Sequence, residues 1–265
     1  MNLSKLVALV LFLAVPFSCS AAEKKEMKAS KIISLAKKGK PVHVVNKIII
    51  GDLDFSQAGK PVVLNASVLQ CNIESGIFFE SCVFLGKVTS NGVHGKASVQ
   101  TCFRSNIIFT GCDFRGEVDF SGAVVFGMVN FSRSVFREAA NFNHIAVWAK
   151  HSFFSETNAE KGFTMVDASF AGNLTVFGST FHQNASFQEM STKGKLVFNN
   201  SVFKGRAGFD MMTVFGDTFF NYARFERIAD FSSSRFIGMV DFVNANFDRP
   251  KNTENAFFMH SVKYE

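Results

Sequence analysis

The sequence has few of the aromatic residues that usually line binding surfaces, since its 265 residues include only 2 Tyr and 1 Trp. It has 34 Phe instead. Tyr and Trp carry a polar group that suits a surface, whereas Phe has none and is most stable where water is excluded. This bias predicts a large Phe-rich core and argues against a broad aromatic binding surface.

The sequence also lacks a concentrated charge of one sign. Its formal net charge of +6 is spread along the chain, and the only local lysine cluster lies between Lys24 and Lys40. Nucleic-acid-binding proteins usually carry a basic patch or stripe on one face. We therefore expect no nucleic-acid partner.

Long apolar runs are absent after residue 22, where no segment reaches the roughly 18 apolar residues of a membrane-spanning helix. Before it, Lys5, the apolar run 6–17 and the small residues "SCSAA" have the build of a secretory signal. We predict a signal peptide at residues 1–22 and an exported, periplasmic or extracellular protein without a transmembrane segment in the mature chain. Lipid attachment at Cys19 is an alternative, although the three residues before it fit a lipobox poorly.

No group of residues with catalytic or metal-binding spacing is visible. The six histidines form no metal-type pair; they are His43, His94, His144, His151, His182 and His260. An enzyme needs an acid, base or nucleophile that the fold brings together, and none can be named from the sequence. We predict a non-enzymatic protein with no metal and no cofactor.

Phe residues recur at alternating steps of five and six. A count forward from Phe109 reaches Phe153, a count backward from Phe247 reaches Ala159, and the two differ by one residue. We therefore predict one inserted residue, in a bulge or loop, near "FFSETNAEKGF" at 153–163. Of the 26 counted positions, 19 are Phe and only Thr192 is polar, which fits neither a helix nor a simple strand.

Four such steps make a 22-residue coil with four short sides, in which Phe114 lies over Phe136 and Phe120 over Phe142. The position two before each large residue is predicted to be small and inward; examples are Ala140, Ala168, Ala185, Ala207, Ala223, Ala229, Ala245, Ser134, Ser179, Ser201, Ser234 and Cys112. The intervening residue is predicted to point outward. Glycines two after a Phe are predicted at corners with unusual backbone angles; they are Gly116, Gly172, Gly205 and Gly238.

The units "ANF" at 140–142 and 245–247 and "ADF" at 229–231 resemble the motif of pentapeptide repeat proteins. The resemblance covers roughly residues 50–247 and implies an all-β fold, a right-handed quadrilateral β-helix. Phe replaces the more common Leu, and alternation of five and six replaces a strict five. We therefore expect a wider coil or longer corners than in the standard form.

The segments that flank or interrupt the pattern complete the domain prediction. Residues 23–49 are predicted to form a short capping helix, with Ser30 as N-cap and a stop at Gly39, followed by a first strand at 42–50. Residues 50–265 are predicted to form the solenoid. The segment 86–108 keeps the period badly, which predicts a protruding loop.

Four cysteines of the predicted solenoid allow two interpretations; they are Cys71, Cys82, Cys102 and Cys112. Cys82 and Cys112 occupy the small inward position, which favours buried free thiols. In an oxidising compartment, the four could instead form one or two disulfides, because stacked coils bring side chains close together.

Three aromatic residues are candidates for a partner-binding strip. Phe126, Trp148 and Phe215 each follow an inward Val by one residue, so they are predicted to point outward or to lie at a corner of the same side. Packing at the corner is the alternative. The favoured function is a rigid scaffold or interaction module with an unknown protein partner in the cell envelope.

Two other functions fit the sequence less well. A carbohydrate-binding or carbohydrate-active β-helix would need an acidic cluster with a nearby Lys or Arg on one face. Some pentapeptide repeat proteins bind topoisomerase as DNA mimics, but a mimic should be strongly acidic and cytoplasmic. This chain is basic and predicted to be exported, which disfavours that role.

Overall fold

The computed structural model describes residues 24–264 and is a four-sided parallel β-solenoid. The chain runs through four sheets in a fixed order, which we call faces 1 to 4, and then begins the next coil. Asp113 pairs with Val135 on face 2, one 22-residue coil later. The predicted all-β, four-sided solenoid is confirmed. The predictions of a signal peptide and of a lipid anchor at Cys19 lie outside the described residues.

Faces 1 and 2 each hold ten strands within residues 24–264. The strands of face 1 are Val42–Val45, Ile77–Glu80, Ile107–Thr110, Val129–Asn130, His151–Phe153, Asn173–Thr175, Leu196–Val197, Thr218–Phe219, Val240–Asp241 and Val262–Lys263. The strands of face 2 are Lys25–Lys28, Lys47–Ile50, Val83–Phe84, Asp113–Phe114, Val135–Phe136, Asn158–Ala159, Thr180–Phe181, Val202–Phe203, Arg224–Phe225 and Asn246–Phe247.

Faces 3 and 4 hold 8 and 11 strands over the same residues. The strands of face 3 are Leu53–Asp54, Val88–Thr89, Val118–Asp119, Ala140–Asn141, Phe163–Thr164, Ala185–Ser186, Ala207–Gly208 and Ala229–Asp230. The strands of face 4 are Pro61–Asn65, Val68–Ile73, Asn91–His94, Ala97–Phe103, Val124–Val125, Ala146–Val147, Ser169–Phe170, Ser191–Thr192, Thr213–Val214, Arg235–Phe236 and Phe257–Phe258.

The core consists of columns of stacked Phe rings along the axis. Phe114 stacks on Phe136 with ring centroids 5.1 Å apart, and Phe120 stacks on Phe142 at 5.9 Å. Rings of adjacent columns meet edge to face, so both favourable aromatic geometries occur together. All the positions counted from Ala159 to Phe242 are buried, which confirms the predicted inward set there.

The small inward positions are filled as predicted, and the predicted serines are satisfied, whereas the buried hydroxyls of Ser152 and Thr218 in equivalent positions have no partner among the described residues. The hydroxyl of Ser134 donates to the backbone oxygen of Phe109 at 2.8 Å, and that of Ser179 donates to Phe154 at 2.7 Å. Because a buried hydroxyl without a partner is costly, these bonds explain why Ser serves as well as Ala in this position.

The alternation of five and six residues follows from two kinds of corner. The five-residue steps cross tight corners, between faces 1 and 2 and between faces 3 and 4. There one residue adopts a left-handed conformation, as Arg133 does with a φ of 59°. The outward Asn130 accepts a hydrogen bond from the backbone N–H of Ser132 at 2.9 Å and so caps this corner. The six-residue steps cross wider corners, between faces 2 and 3 and between faces 4 and 1.

The glycines at the wide corners are needed for a different reason from the predicted one. None of Gly116, Gly172, Gly205 and Gly238 is in the left-handed region. A Cβ at Gly116 would lie 2.5 Å from the backbone oxygen of Gly86, and one at Gly238 would collide with Gly216. The prediction of unusual backbone angles is therefore wrong: these glycines let consecutive coils approach closely.

The inserted residue lies earlier in the chain than predicted. Three residues join Val125 to Val129 across the corner from face 4 to face 1, whereas four join Val147 to Ser152 in the next coil. Phe154 is consequently buried and Phe153 points outward. The prediction that Phe153 faces the core and that the insertion lies at 153–163 is wrong.

An N-terminal helix, Ala29–Lys37, covers the first coil with buried Ile32 and Ala36. The helix begins directly after Lys28 without a side-chain cap, so the predicted N-cap at Ser30 is wrong. The predicted stop is correct, because Gly39 has a φ of 67°. Strand Lys25–Lys28 precedes the helix and pairs with Lys47–Ile50, and this strand was not predicted.

Two hairpins extend face 4 in the first two complete coils. Asn91–His94 pairs antiparallel with Ala97–Phe103, which accounts for the irregular segment 86–108. Pro61–Asn65 pairs antiparallel with Val68–Ile73, and the sequence pattern did not predict this second hairpin. A 3-10 turn at Phe55–Gln57 links face 3 to it.

Candidate interaction surface

The outward side chains of the faces differ in polarity. Those of face 3 are almost all polar; they are Asp54, Thr89, Asp119, Asn141, Thr164, Ser186, Gly208 and Asp230. Face 1 carries large apolar side chains in the same outward position; they are Phe78, Ile108, Phe153, Val197 and Phe219. These five are only half-buried and point away from the core. Face 1 is therefore more apolar on its outer side than face 3, although Asn130, Thr175 and Asp241 lie between these apolar side chains.

An exposed aromatic pair lies at the wide corner beside this face. Trp148 is 60% exposed and Phe126 is 45% exposed. Their rings stack with centroids 6.3 Å apart and planes 13° from parallel. The guanidinium of Arg104 lies 4.8 Å from the centroid of Phe126 and extends the stack by one more coil. We call Arg104, Phe126 and Trp148 the aromatic patch.

Phe215, the third residue of the predicted strip, does not join this patch. It is 55% exposed and occupies the equivalent corner position. Ala171 and Lys193 fill that position in the two coils between Trp148 and Phe215. The structure thus brings Phe126 and Trp148 together and leaves Phe215 separate. Partner binding by these residues stays a prediction.

The chain between Val147 and Ser152 places Trp148 at the first position of the lengthened corner. Val147 points into the core, so the next side chain leaves the solenoid at the end of face 4. Arg104 is the cation that contacts a ring; Lys150 and Lys193 are exposed at the same corner, and the acidic Glu74 precedes Arg104 in the corner column. This arrangement suits a partner surface that combines apolar and acidic groups.

Comparison with known families identifies the repeat unit. A family model described as pentapeptide repeats (9 copies) matches residues 198–246. The chain therefore carries pentapeptide repeats. The same pairing of residues 22 apart is found in the matched coils and in the coils before them. This supports the resemblance inferred from the "ANF" and "ADF" units. No curated protein and no solved structure matches the chain.

The pentapeptide-repeat solenoid shows no metal-type cluster of three or more His, Cys, Asp or Glu within residues 24–264. Three of its histidines contact polar side chains in adjoining coils; they are His144, His151 and His182. His144 lies 3.0 Å from the carboxylate of Asp167, and His182 lies 2.8 Å from Asn158. The same part of the chain has no helix of the length and apolarity that a membrane span requires.

A cleft of about 350 Å³ lies at the helix-capped end of the pentapeptide-repeat solenoid, where the chain leaves face 3. Asp54 is one of its lining residues. Its carboxylate accepts hydrogen bonds from the backbone N–H of Ser56 at 2.9 Å and from Nε2 of Gln57 at 2.7 Å. Because both oxygens are used to hold the 3-10 turn, Asp54 has a structural role there.

The four cysteines are buried free thiols in the structure; they are Cys71, Cys82, Cys102 and Cys112. Cys82 and Cys112 lie one coil apart on face 2, where the N–H of Asp113 donates to the backbone oxygen of Cys82. Burial raises the pKa of the Cys112 thiol to about 12, so this thiol is protonated at neutral pH. The alternative of disulfides among the four stays a prediction.

Proposed function

We propose that the chain is an exported, non-enzymatic interaction module that binds one protein partner of the cell envelope on face 1 and the aromatic patch. The observation that carries this proposal is the exposed stack of Phe126 on Trp148. Neither side chain contributes to the Phe columns, so core stability does not explain them. Each square ångström of apolar area that a partner covers contributes about 25 cal/mol.

The rigidity of the support strengthens the case. Val125 and Val147, the residues before the two aromatic residues, pair directly on face 4 and are buried. The backbone that carries the two rings is therefore already held in place, so binding loses little backbone conformational entropy there. The cations around the rings favour a partner segment that carries an apolar anchor and acidic residues.

The carbohydrate alternative has less support. It would use an acidic group beside Lys or Arg, and the clearest example is on face 2. There Arg137 contacts Asp113 at 2.7 Å and Glu160 at 3.1 Å. These carboxylates are occupied by ion pairs across coils.

The test of partner binding is cross-linking capture from the cell-envelope fraction with protein that begins at Glu23. We expect Trp148→Ser to abolish a saturable capture without a change in thermal midpoint, since the side chain is exposed. Phe215→Ser is the matched control, because it removes an equally exposed aromatic residue outside the patch. Equal capture by wild type and Trp148→Ser would contradict the proposal, as would equal losses in both variants.

Export is tested separately by mass spectrometry of the chain from periplasmic and cytoplasmic fractions. We expect the periplasmic form to begin at Glu23. A full-length cytoplasmic chain would contradict export while leaving the capture experiment valid. A lipid-modified Cys19 at the N-terminus would instead establish the anchored form.

A further inference from the structure

Three arginines meet at the wide corner between faces 2 and 3, diagonally opposite the aromatic patch. They surround an open cavity of about 610 Å³. Its lining residues are Asn184, Gly205, Arg206, Arg227, Ile228 and Arg249. Arg227 and Arg249 occupy equivalent positions in consecutive coils, because Phe225 pairs with Phe247 just before them. We call Arg206, Arg227 and Arg249 the arginine corner.

The carboxylates around Arg227 and Arg249 are occupied by two other arginines, Arg224 and Arg206. Glu226 and Asp248 both contact Arg224, at 3.7 Å and 3.3 Å. Asp230 accepts a hydrogen bond from Nη2 of Arg206 at 2.7 Å. Within residues 24–264, no carboxylate lies within 4.0 Å of the side-chain nitrogens of Arg227 or Arg249.

Two uncompensated like charges in consecutive coils repel each other, because coils are spaced only about 4.8 Å apart. Elsewhere on face 2 the solenoid avoids this arrangement, since Arg137 lies between Asp113 and Glu160. The cavity therefore carries the positive charge of Arg227 and Arg249, which no carboxylate of the described residues neutralises, whereas Arg206 is paired with Asp230. An anion bound there would remove the repulsion.

The geometry points to a binding site for the phosphate group of an organic phosphate. Arg227 and Arg249 present planar guanidinium groups, which can each donate two parallel hydrogen bonds to phosphate oxygens. Ile228 is 51% exposed and offers an apolar wall for the carbon skeleton, and Gly205 lines the cavity with backbone alone. The cavity is larger than an inorganic phosphate ion requires, so it has room for a phosphate ester.

A soluble phosphate ester and a phospholipid headgroup share this chemistry, and two probes distinguish them. Glycerol 3-phosphate is titrated into the protein by calorimetry, and cosedimentation is measured with phosphatidic acid vesicles and with phosphatidylcholine vesicles. We expect Arg227→Gln to weaken binding about tenfold or more, because the two parallel hydrogen bonds from one charged guanidinium to the phosphate are lost. Lys161→Gln is the matched control, since Lys161 is an exposed cation in the same corner column, three coils away.

Each outcome decides the question. Binding of glycerol 3-phosphate, or of phosphatidic acid vesicles alone, with loss in Arg227→Gln and retention in Lys161→Gln, supports the site and identifies its source of phosphate. Absence of binding to both probes overturns it. Equal weakening by Arg227→Gln and Lys161→Gln also overturns it, because general charge would then be responsible. Trp148→Ser should leave this binding unchanged, so the test is independent of the proposed partner surface.

Discussion

Phe209→Ala is the sharpest test of the Phe columns. Phe209 is completely buried. Its ring stacks on Phe187 at 5.3 Å and on Phe231 at 4.9 Å. It also meets Phe198 and Phe220 edge to face at 5.4 Å and 5.3 Å. Truncation leaves a cavity that these four rings cannot fill, because β-ladders hold each of them in register.

The expected loss in the free energy of unfolding is about 3–5 kcal/mol, the range for Phe→Ala in a packed core. It is measured by urea unfolding followed by circular dichroism. Phe215→Ala is the matched control, six residues later and 55% exposed, where we expect a change within about 0.5 kcal/mol. A loss below about 1 kcal/mol for Phe209→Ala, or equal losses in both variants, would refute the column assignment.

Three further predictions concern the corners, an ion pair and the thiols. Gly238→Ala should cost about 1–3 kcal/mol by collision with the previous coil, whereas Gly162→Ala, which has nothing within 4 Å, should be neutral in the same urea assay. Burial raises the pKa of Asp230, but hydrogen bonds from Ser232 and Arg206 outweigh it and lower the pKa below 3.8. The stabilisation of the folded state by ionised Asp230 is therefore present above pH 3.8 and is lost as the pH falls through the folded pKa. We expect Asp230→Asn to have a lower thermal midpoint than wild type at pH 7, and the two midpoints to converge in acid. In protein beginning at Glu23, we expect the four buried thiols, Cys112 among them, to resist alkylation at pH 8 while the protein is folded. All four should react once the protein is unfolded in urea. Absence of reaction in urea would establish disulfides instead.

The inward half of the structure was predictable because every coil repeats the same physical requirement. A large side chain at each of four positions must meet its equivalent in the next coil, so Phe198, Phe220 and Phe242 could be placed in one column from spacing alone. The structure stacks them at 5.4 Å and 5.1 Å. The small residues two positions earlier followed from the same alternation of inward and outward side chains.

The irregular parts were less predictable because one residue can be added at several places without a change in the pattern. Both Phe153 and Phe154 satisfy the apolar count, and only the longer corner after Val147 decides between them. Spacing likewise could not tell which glycines avoid a collision and which adopt a left-handed conformation. The hairpin that contains Pro61–Asn65 carries no repeat, so the period gave no information about it.

The position of the aromatic patch could be predicted from the sequence, but not all of its residues were named. The interval of 22 residues placed Phe126 and Trp148 on one corner, and the structure stacks them. Arg104 lies a further 22 residues before Phe126 and could have been found by the same step. The arginine corner was not found, because Arg227 and Arg249 lie among acidic residues whose partners only the structure reveals.

Both candidate surfaces lie on wide corners, and the backbone explains why. A tight corner has two residues between its inward positions, and one of them is in the left-handed region, as Arg133 is, where a side chain adds strain. A wide corner has three residues, or four between Val147 and Ser152, and its middle position holds Gly205 in one coil and Arg227 or Arg249 in others. Trp148, Arg206 and Arg227 all lie outside the left-handed region, so these corners accept large side chains without that strain. Six-residue steps thus give this solenoid two diagonally opposite rows on which binding residues can vary while the Phe columns stay intact.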